Sequence, residues 1–134
     1  VRQDFPLTPE AGLPPVERQI SQEKILRYAH VSGDLNPLHI DPEFASRTPF
    51  GGVVAHGLLT LAYLSESLTQ AFGKAWPAGG RLRVRFRAPA RPGDTVTAGG
   101  RITAVEGGVV RCAVEVRNQR GEVLISGEAE IPIS

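Results

Sequence analysis

Apolar residues recur along this chain with two different periods, and the change falls near Gly80. Before that point, spacings of three and four predict helices. Ser21 is a good N-cap, and Ile20 and Ile25 stand at the two positions of a hydrophobic staple. The helix it opens runs from Gln22 to about His30, buries Ile25 and either Leu26 or Ala29, and stops at Gly33. Asp41-Pro42 predicts a second start, with Asp as cap and Pro at the first helical position. That short helix spans Glu43 to about Arg47, ahead of Pro49 and the Gly51-Gly52 pair. A third helix is predicted from about Ala55 to Phe72, roughly 27 Å long. Leu58, Leu61, Ala62, Leu68 and Phe72 mark one stripe on it, which Leu59, Tyr63 and Leu64 widen, so this helix should be mostly covered.

After Gly80 the period is two. Leu82, Val84 and Phe86 alternate with Arg81, Arg83, Arg85 and Arg87, which predicts a strand with the arginines on one face. Pro92-Gly93-Asp94 is a turn. Strands are expected from Thr95 to about Val105 and from Val109 to Arg117, joined at Gly107-Gly108. Asn118-Gln119-Arg120-Gly121 leads into a last strand, Val123 to about Ile131. Ahead of the first helix, a short strand at Val16 to Ile20 follows an extended, proline-rich segment over residues 1–15. A covered helix followed by antiparallel strands is an α+β arrangement, a curved sheet wrapped around that helix. One helix cannot cover both faces and both edges of such a sheet, so a second copy of the chain is expected beside it.

Composition narrows the class. The 134 residues suit one domain, and hydrophobic (41%) and charged (22%) shares are those of an ordinary globule. A net charge of +1 and few aromatic residues give no reason to expect nucleic acid or a membrane surface as partner. The longest uncharged apolar run, Gly51 to Ser65, falls short of the ~20 residues needed to span a bilayer. The first residues lack the pattern of a secretory signal, so a cytoplasmic protein is expected. The single cysteine, Cys112, sits in the alternation Val110, Cys112, Val114, Val116 and reads as a small buried hydrophobe.

The densest chemistry lies between the first two helices, in Gly33-Asp34-Leu35-Asn36-Pro37-Leu38-His39-Ile40-Asp41-Pro42. A carboxylate and an imidazole, Asp34 and His39, stand five positions apart in a stretch stiffened by Pro37. Together they could hold one water molecule, one accepting a proton while the other donates. They could equally be an Asx-turn aspartate and a surface histidine. Asn36 could orient that water or brace the loop; Asp41 is better explained as a helix cap. Gly57 opens the long helix, where free N–H groups and the helix dipole favour negative charge, or it merely permits tight packing. His56 reads as a helix-start or pocket-wall residue. Ser65 either bonds back to the Leu61 carbonyl or points into a pocket. A metal site from His39, Asp41 and His56 would lack a further ligand. No Gly-rich phosphate loop and no serine-hydrolase elbow occur.

Ser32-Gly33-Asp34-Leu35-Asn36-Pro37-Leu38-His39-Ile40-Asp41-Pro42 closely resembles the signature of the MaoC-like, R-specific enoyl-CoA hydratases and related (3R)-hydroxyacyl-ACP dehydratases. Val54-Ala55-His56-Gly57-Leu58-Leu59 is similar to that family's opening of the central helix. Val84-Arg85-Phe86-Arg87-Ala88-Pro89, followed by Pro92-Gly93-Asp94, resembles its strand-and-turn element. The resemblance spans about residues 16–133 and implies a hot-dog fold, acting as a homodimer or higher even oligomer. It also implies Asp34 and His39 as the catalytic pair, Gly57 as an oxyanion-hole donor, and Asn36 and Ser65 as neighbours of the substrate. The substrate would be an acyl-CoA or acyl carrier protein thioester, whose CoA phosphates Arg85 could meet. No cofactor and no metal are needed for that chemistry. The other expectations compatible with the same fold are a carrier-protein dehydratase, a non-catalytic acyl-CoA binding subunit and a thioesterase.

Overall fold

The computed structural model describes residues 5–133; the first four residues of the expected extended segment lie outside them. Its elements in chain order are β1 (Val16–Gln19), α1 (Gln22–Ser32), α2 (Pro37–Ile40), α3 (Pro42–Ser46), α4 (Gly57–Phe72), α5 (Ala75–Gly79), β2 (Arg81–Phe86), β3 (Thr95–Glu106), β4 (Val109–Arg117) and β5 (Val123–Pro132). The five strands form one antiparallel sheet in the order β1-β3-β4-β5-β2.

Local sequence explains where each helix begins and ends. Ser21 accepts a hydrogen bond from the Lys24 N–H and so caps α1. Of the alternatives for the buried face, Ala29 is taken and Leu26 is not: Ile25 and Ala29 are fully buried. Gly33 closes the helix in the left-handed region at φ 79°, a conformation that carries a steric penalty for any residue with a Cβ. Asp41 Oδ1 accepts from the Glu43 and Phe44 N–H groups, with Pro42 first in α3, as its sequence predicts. Two short elements go beyond the predicted set. The stretch between α1 and α3 is a turn of helix, α2, capped by the Asn36 side chain on the Leu38 N–H. The segment after Phe72 is α5, with Trp76 buried.

The sheet curls around α4, which packs on β1, β3 and β4. Val110, Cys112, Val114 and Val116 of β4 face the core with Val96, Ala98 and Ile102 of β3 and Leu124, Ala129 and Ile131 of β5. The covered face of α4 is rotated from the predicted stripe. Leu59, Leu64, Leu68, Ala71 and Phe72 are buried, whereas Leu58 is 62% exposed and Ala62 is also exposed. Leu58 through Leu64 is apolar on nearly every side, so spacing alone does not select the inward face.

β2 is an open edge. Arg81 and Arg83 stand opposite Glu130 and Glu128 of β5, and Arg85 opposite Ser126. The strand ends at Phe86, so Arg87 lies beyond it and donates to the Ser126 hydroxyl at 2.6 Å. Phe86, expected inside by alternation, is 55% exposed.

Candidate active site

Three segments meet at the N-terminal mouth of α4: the Gly33–Asn36 turn, the single turn α2, and Val53–Gly57. Pro37 at the first position of α2 and Asn36 as its cap force the chain to coil at once after Asp34. That coil brings His39 back beneath the turn, and only 9% of it remains exposed. Its Nδ1 lies 2.7 Å from the Val54 carbonyl. A carbonyl can only accept, so Nδ1 carries the hydrogen and the Nε2 lone pair is left free.

Asp34 is exposed, and one carboxylate oxygen accepts from the Asn36 N–H at 3.2 Å. The Asx turn is therefore present, and it is compatible with a second task, because Oδ2 remains. One ligand-type atom each from Asp34, His39 and His56 lies within 4.8 Å of the others. A water bonded to two groups at about 2.8 Å with a tetrahedral angle separates them by about 4.6 Å. A spacing within that bound leaves room for a water shared by the pair, and His39 is buried, not a surface histidine.

The same three residues are of metal-binding type, but the rings of His39 and His56 are stacked, with centroids 3.8 Å apart and planes 25° from parallel. Ring lone pairs lie in the ring plane, so stacked rings send them side by side and not toward a common point. Two of the four ring nitrogens also bond backbone carbonyls. The cluster suits a water better than a tetrahedral ion.

Beside this cluster is a cavity of about 310 Å³ whose lining includes His39, Gly57, Thr60, Leu38, Phe50 and Phe86. His39 and Gly57 therefore share one chamber with apolar walls. His56 occupies the N-cap position of α4 but gives no side-chain cap, so the helix mouth keeps unfilled N–H groups. A Cβ placed on Gly57 would stand 3.0 Å from the Phe86 ring, so glycine lets that ring close over the mouth.

The remaining expected residues lie elsewhere. Asn36 acts through the backbone, as cap of α2. Ser65 neither bonds back to Leu61 nor lines this cavity; its hydroxyl accepts from Trp76 Nε1 at 2.8 Å and ties α5 to α4. Arg85 is exposed on β2 outside the cavity. Phe50 and Phe86 at the rim, and the Val54 carbonyl that sets the His39 tautomer, were absent from the predicted set. Alternation pointed Phe86 inward, so the sequence carried no signal for its place at the rim.

This fold and mouth define a helix-wrapping hot-dog protein with an acid–imidazole pair at the helix start. The profile of the MaoC like domain matches residues 6–123, and the chain belongs to that family. It is 34% identical to an (R)-specific enoyl-CoA hydratase of Rhodospirillum rubrum, covering 87% of this chain and 81% of that one. It is 39% identical to a 3-hydroxybutyryl-CoA dehydratase of Methylorubrum extorquens over 65% of this chain, and spans little more than half (56%) of that relative. Among solved structures, the (R)-hydratase from A. caviae involved in PHA biosynthesis superposes with a TM-score of 0.83 at 27% identity, covering 98% of this chain and 99% of that one.

Proposed function

We propose that this protein reversibly hydrates trans-2-enoyl-CoA to (3R)-3-hydroxyacyl-CoA. The observation that carries the reading is the meeting of Asp34 and His39, with ligand-type atoms within 4.8 Å of each other, beside the open mouth of α4. With a thioester carbonyl at that mouth, the water held by the pair adds to C3 as its proton passes to one of the two groups. The C2–C3 π pair moves onto the carbonyl, and the enolate oxygen meets the Gly57 N–H, a well-aimed donor of this kind being worth about 3 kcal/mol. As the enolate collapses, C2 takes that proton back from the group that received it, while the other member of the pair holds the water in place. Every atom of water ends on the product, and dehydration is the same path reversed. Names of relatives support the substrate class: enoyl-CoA for one and 3-hydroxybutyryl-CoA for another.

The assembly we propose is a homodimer. The β2 edge is open, Leu58 and Phe86 are exposed apolar side chains, and Phe86 lies against Gly57 at the mouth of α4; a second copy seated there would cover them. Arg85, whose cross-strand neighbour is a serine, is available to CoA phosphates. A cytoplasmic setting accords with the lone free Cys112; no helix among the described residues is long and apolar enough to cross a membrane. Loss of the enoyl-thioester absorbance band with crotonyl-CoA, followed by chiral analysis of the product, tests the activity. A (3R) product is expected; no hydration across a chain-length series, or an (S) product, would overturn the assignment. Sedimentation at micromolar concentration tests the dimer.

A further inference from the structure

One buried side-chain polar atom among the described residues has no hydrogen-bond partner, and it belongs to the residue beside the proposed pair: His56 Nδ1. His56 is 3% exposed. Its Nε2 lies 3.0 Å from the Asp34 backbone carbonyl, which can only accept, so the hydrogen is on Nε2 and the lone pair on Nδ1. One ring contact is the stack on His39, and the Tyr28 ring packs on it too, at 4.9 Å.

We propose that His56 is a positioning residue for the hydration, aligning both members of the pair with the helix mouth. The inference rests on the reading of Asp34 and His39 as the water-binding pair. Asp34 sits in a turn whose other side-chain bonds are local: its N–H meets the Ser32 hydroxyl, and its carboxylate meets the Asn36 N–H. Those bonds shape the turn without fixing it to the rest of the fold. The bond from His56, twenty-two residues away in sequence, ties the turn to the start of α4. His39 is held at Nδ1 by the Val54 carbonyl, and one hydrogen bond leaves the ring free to tilt about it. Stacking on His56 removes that freedom and fixes the direction of the Nε2 lone pair. Gly57, the proposed oxyanion donor, is the next residue in the chain, so one imidazole sets three groups in register.

The arrangement gives up ordinary structural gains. Ser, Thr, Asp or Asn at the N-cap would satisfy a helix N–H through its side chain, whereas the His56 side chain caps none. A buried nitrogen without a partner is destabilising, and such an atom in a native fold calls for a reason. Here the ring is placed for what its other nitrogen and its face hold in position.

Matched substitutions separate donor from bulk. His56→Gln places an amide nitrogen where Nε2 now lies, His56→Asn places one near Nδ1, out of reach of the Asp34 carbonyl, and His56→Phe keeps a stackable ring without a donor. With crotonyl-CoA, KM should stay within about threefold throughout, while kcat falls about tenfold for His56→Gln and about a hundredfold for His56→Asn and His56→Phe, the cost of misplacing reacting groups by about 1 Å. Asn and Gln variants of equal kcat, or a change confined to KM, would overturn the proposal. If His56→Phe does not fold, the Gln and Asn pair still decides. A readout independent of turnover is ¹⁵N-edited NMR of the wild-type imidazoles, where the hydrogen of His56 should sit on Nε2 and exchange slowly; an Nδ1–H tautomer would overturn the proposal. A wild type that hydrates no enoyl-CoA sinks the reading of the pair, whereas an active wild type with equal Gln and Asn variants sinks this inference alone.

Discussion

Two polar clusters are built into this fold, and they end differently. At the turn between β2 and β3, Asp94 is 5% exposed, and its two oxygens accept from Gln119 Nε2 and the Arg91 N–H, each at 2.9 Å. Asn118, equally buried, accepts from the Arg120 and Glu122 N–H groups and donates to the Glu122 carboxylate. Among the described residues, no buried side-chain polar atom there lacks a partner. At the mouth of α4, by contrast, His39 uses one nitrogen on Val54, the other has no protein partner, His56 Nδ1 is orphaned, and the Asp34 carboxylate faces solvent. A cluster that serves stability closes its hydrogen bonds within the chain; one that serves chemistry keeps some open for substrate and water.

That contrast can be broken in both directions. Asp34→Asn or His39→Gln should lower kcat for crotonyl-CoA about a thousandfold, in the range of lost general acid–base catalysis. Thermal melting should barely change for Asp34→Asn, whose amide oxygen can still accept from the Asn36 N–H, whereas His39→Gln also gives up the bond to the Val54 carbonyl and should melt somewhat lower. Asp94→Ala should behave in the opposite way. Losing a buried carboxylate that ties Arg91 to Gln119 should destabilise by about 2–3 kcal/mol in denaturant melts. Its kcat well below the melting temperature should stay within twofold. Gly57→Ala falls between: the new methyl meets Phe86 and displaces the donor or the substrate, so kcat/KM should drop about tenfold. Asn36→Ala removes the cap of α2 and should cost about 1 kcal/mol of stability, read by chemical denaturation.

The smallest effect appears only in alkali. Burial pushes the Cys112 thiol from its ordinary value of 9.0 up to about 12. Above pH 9 the unfolded chain gives up this proton while the folded chain keeps it, so the unfolded state binds fewer protons and stability falls as pH rises. The contribution is complete below pH 9 and lost toward about 12. Urea melts across that window should show a shallower decline for Cys112→Val than for wild type. At neutral pH the native thiol should resist alkylation that the denatured chain undergoes.

Much of the scaffold was legible because its signals are local. The alternation around Cys112 marked β4 at its observed bounds, and Ser21, Gly33 and Asp41 announced helix ends through capping chemistry that needs only neighbours. What was hidden depended on distant chain or on elements too short to show a period. The four residues of α2 cannot display one, although Asn36-Pro37 carried its cap and first position. The rotation of α4 followed from where β1, β3 and β4 press on it, which Leu58 and Ala62 cannot reveal by spacing. At the mouth of α4, the motif pointed to Asp34, His39 and Gly57, which the fold brings together, but not to the bond from His56 to the Asp34 backbone, a contact to a carbonyl that every residue type possesses.

The central claim is that Asp34 and His39 act on one water. Combining Asp34→Asn with His39→Gln and measuring kcat for crotonyl-CoA against each single variant tests it most directly. Groups that share a single water lose their function together, so the double variant should be no slower than the worse single one. Losses that multiply, each substitution subtracting its own full factor, would mean that the two side chains work independently and would contradict the account.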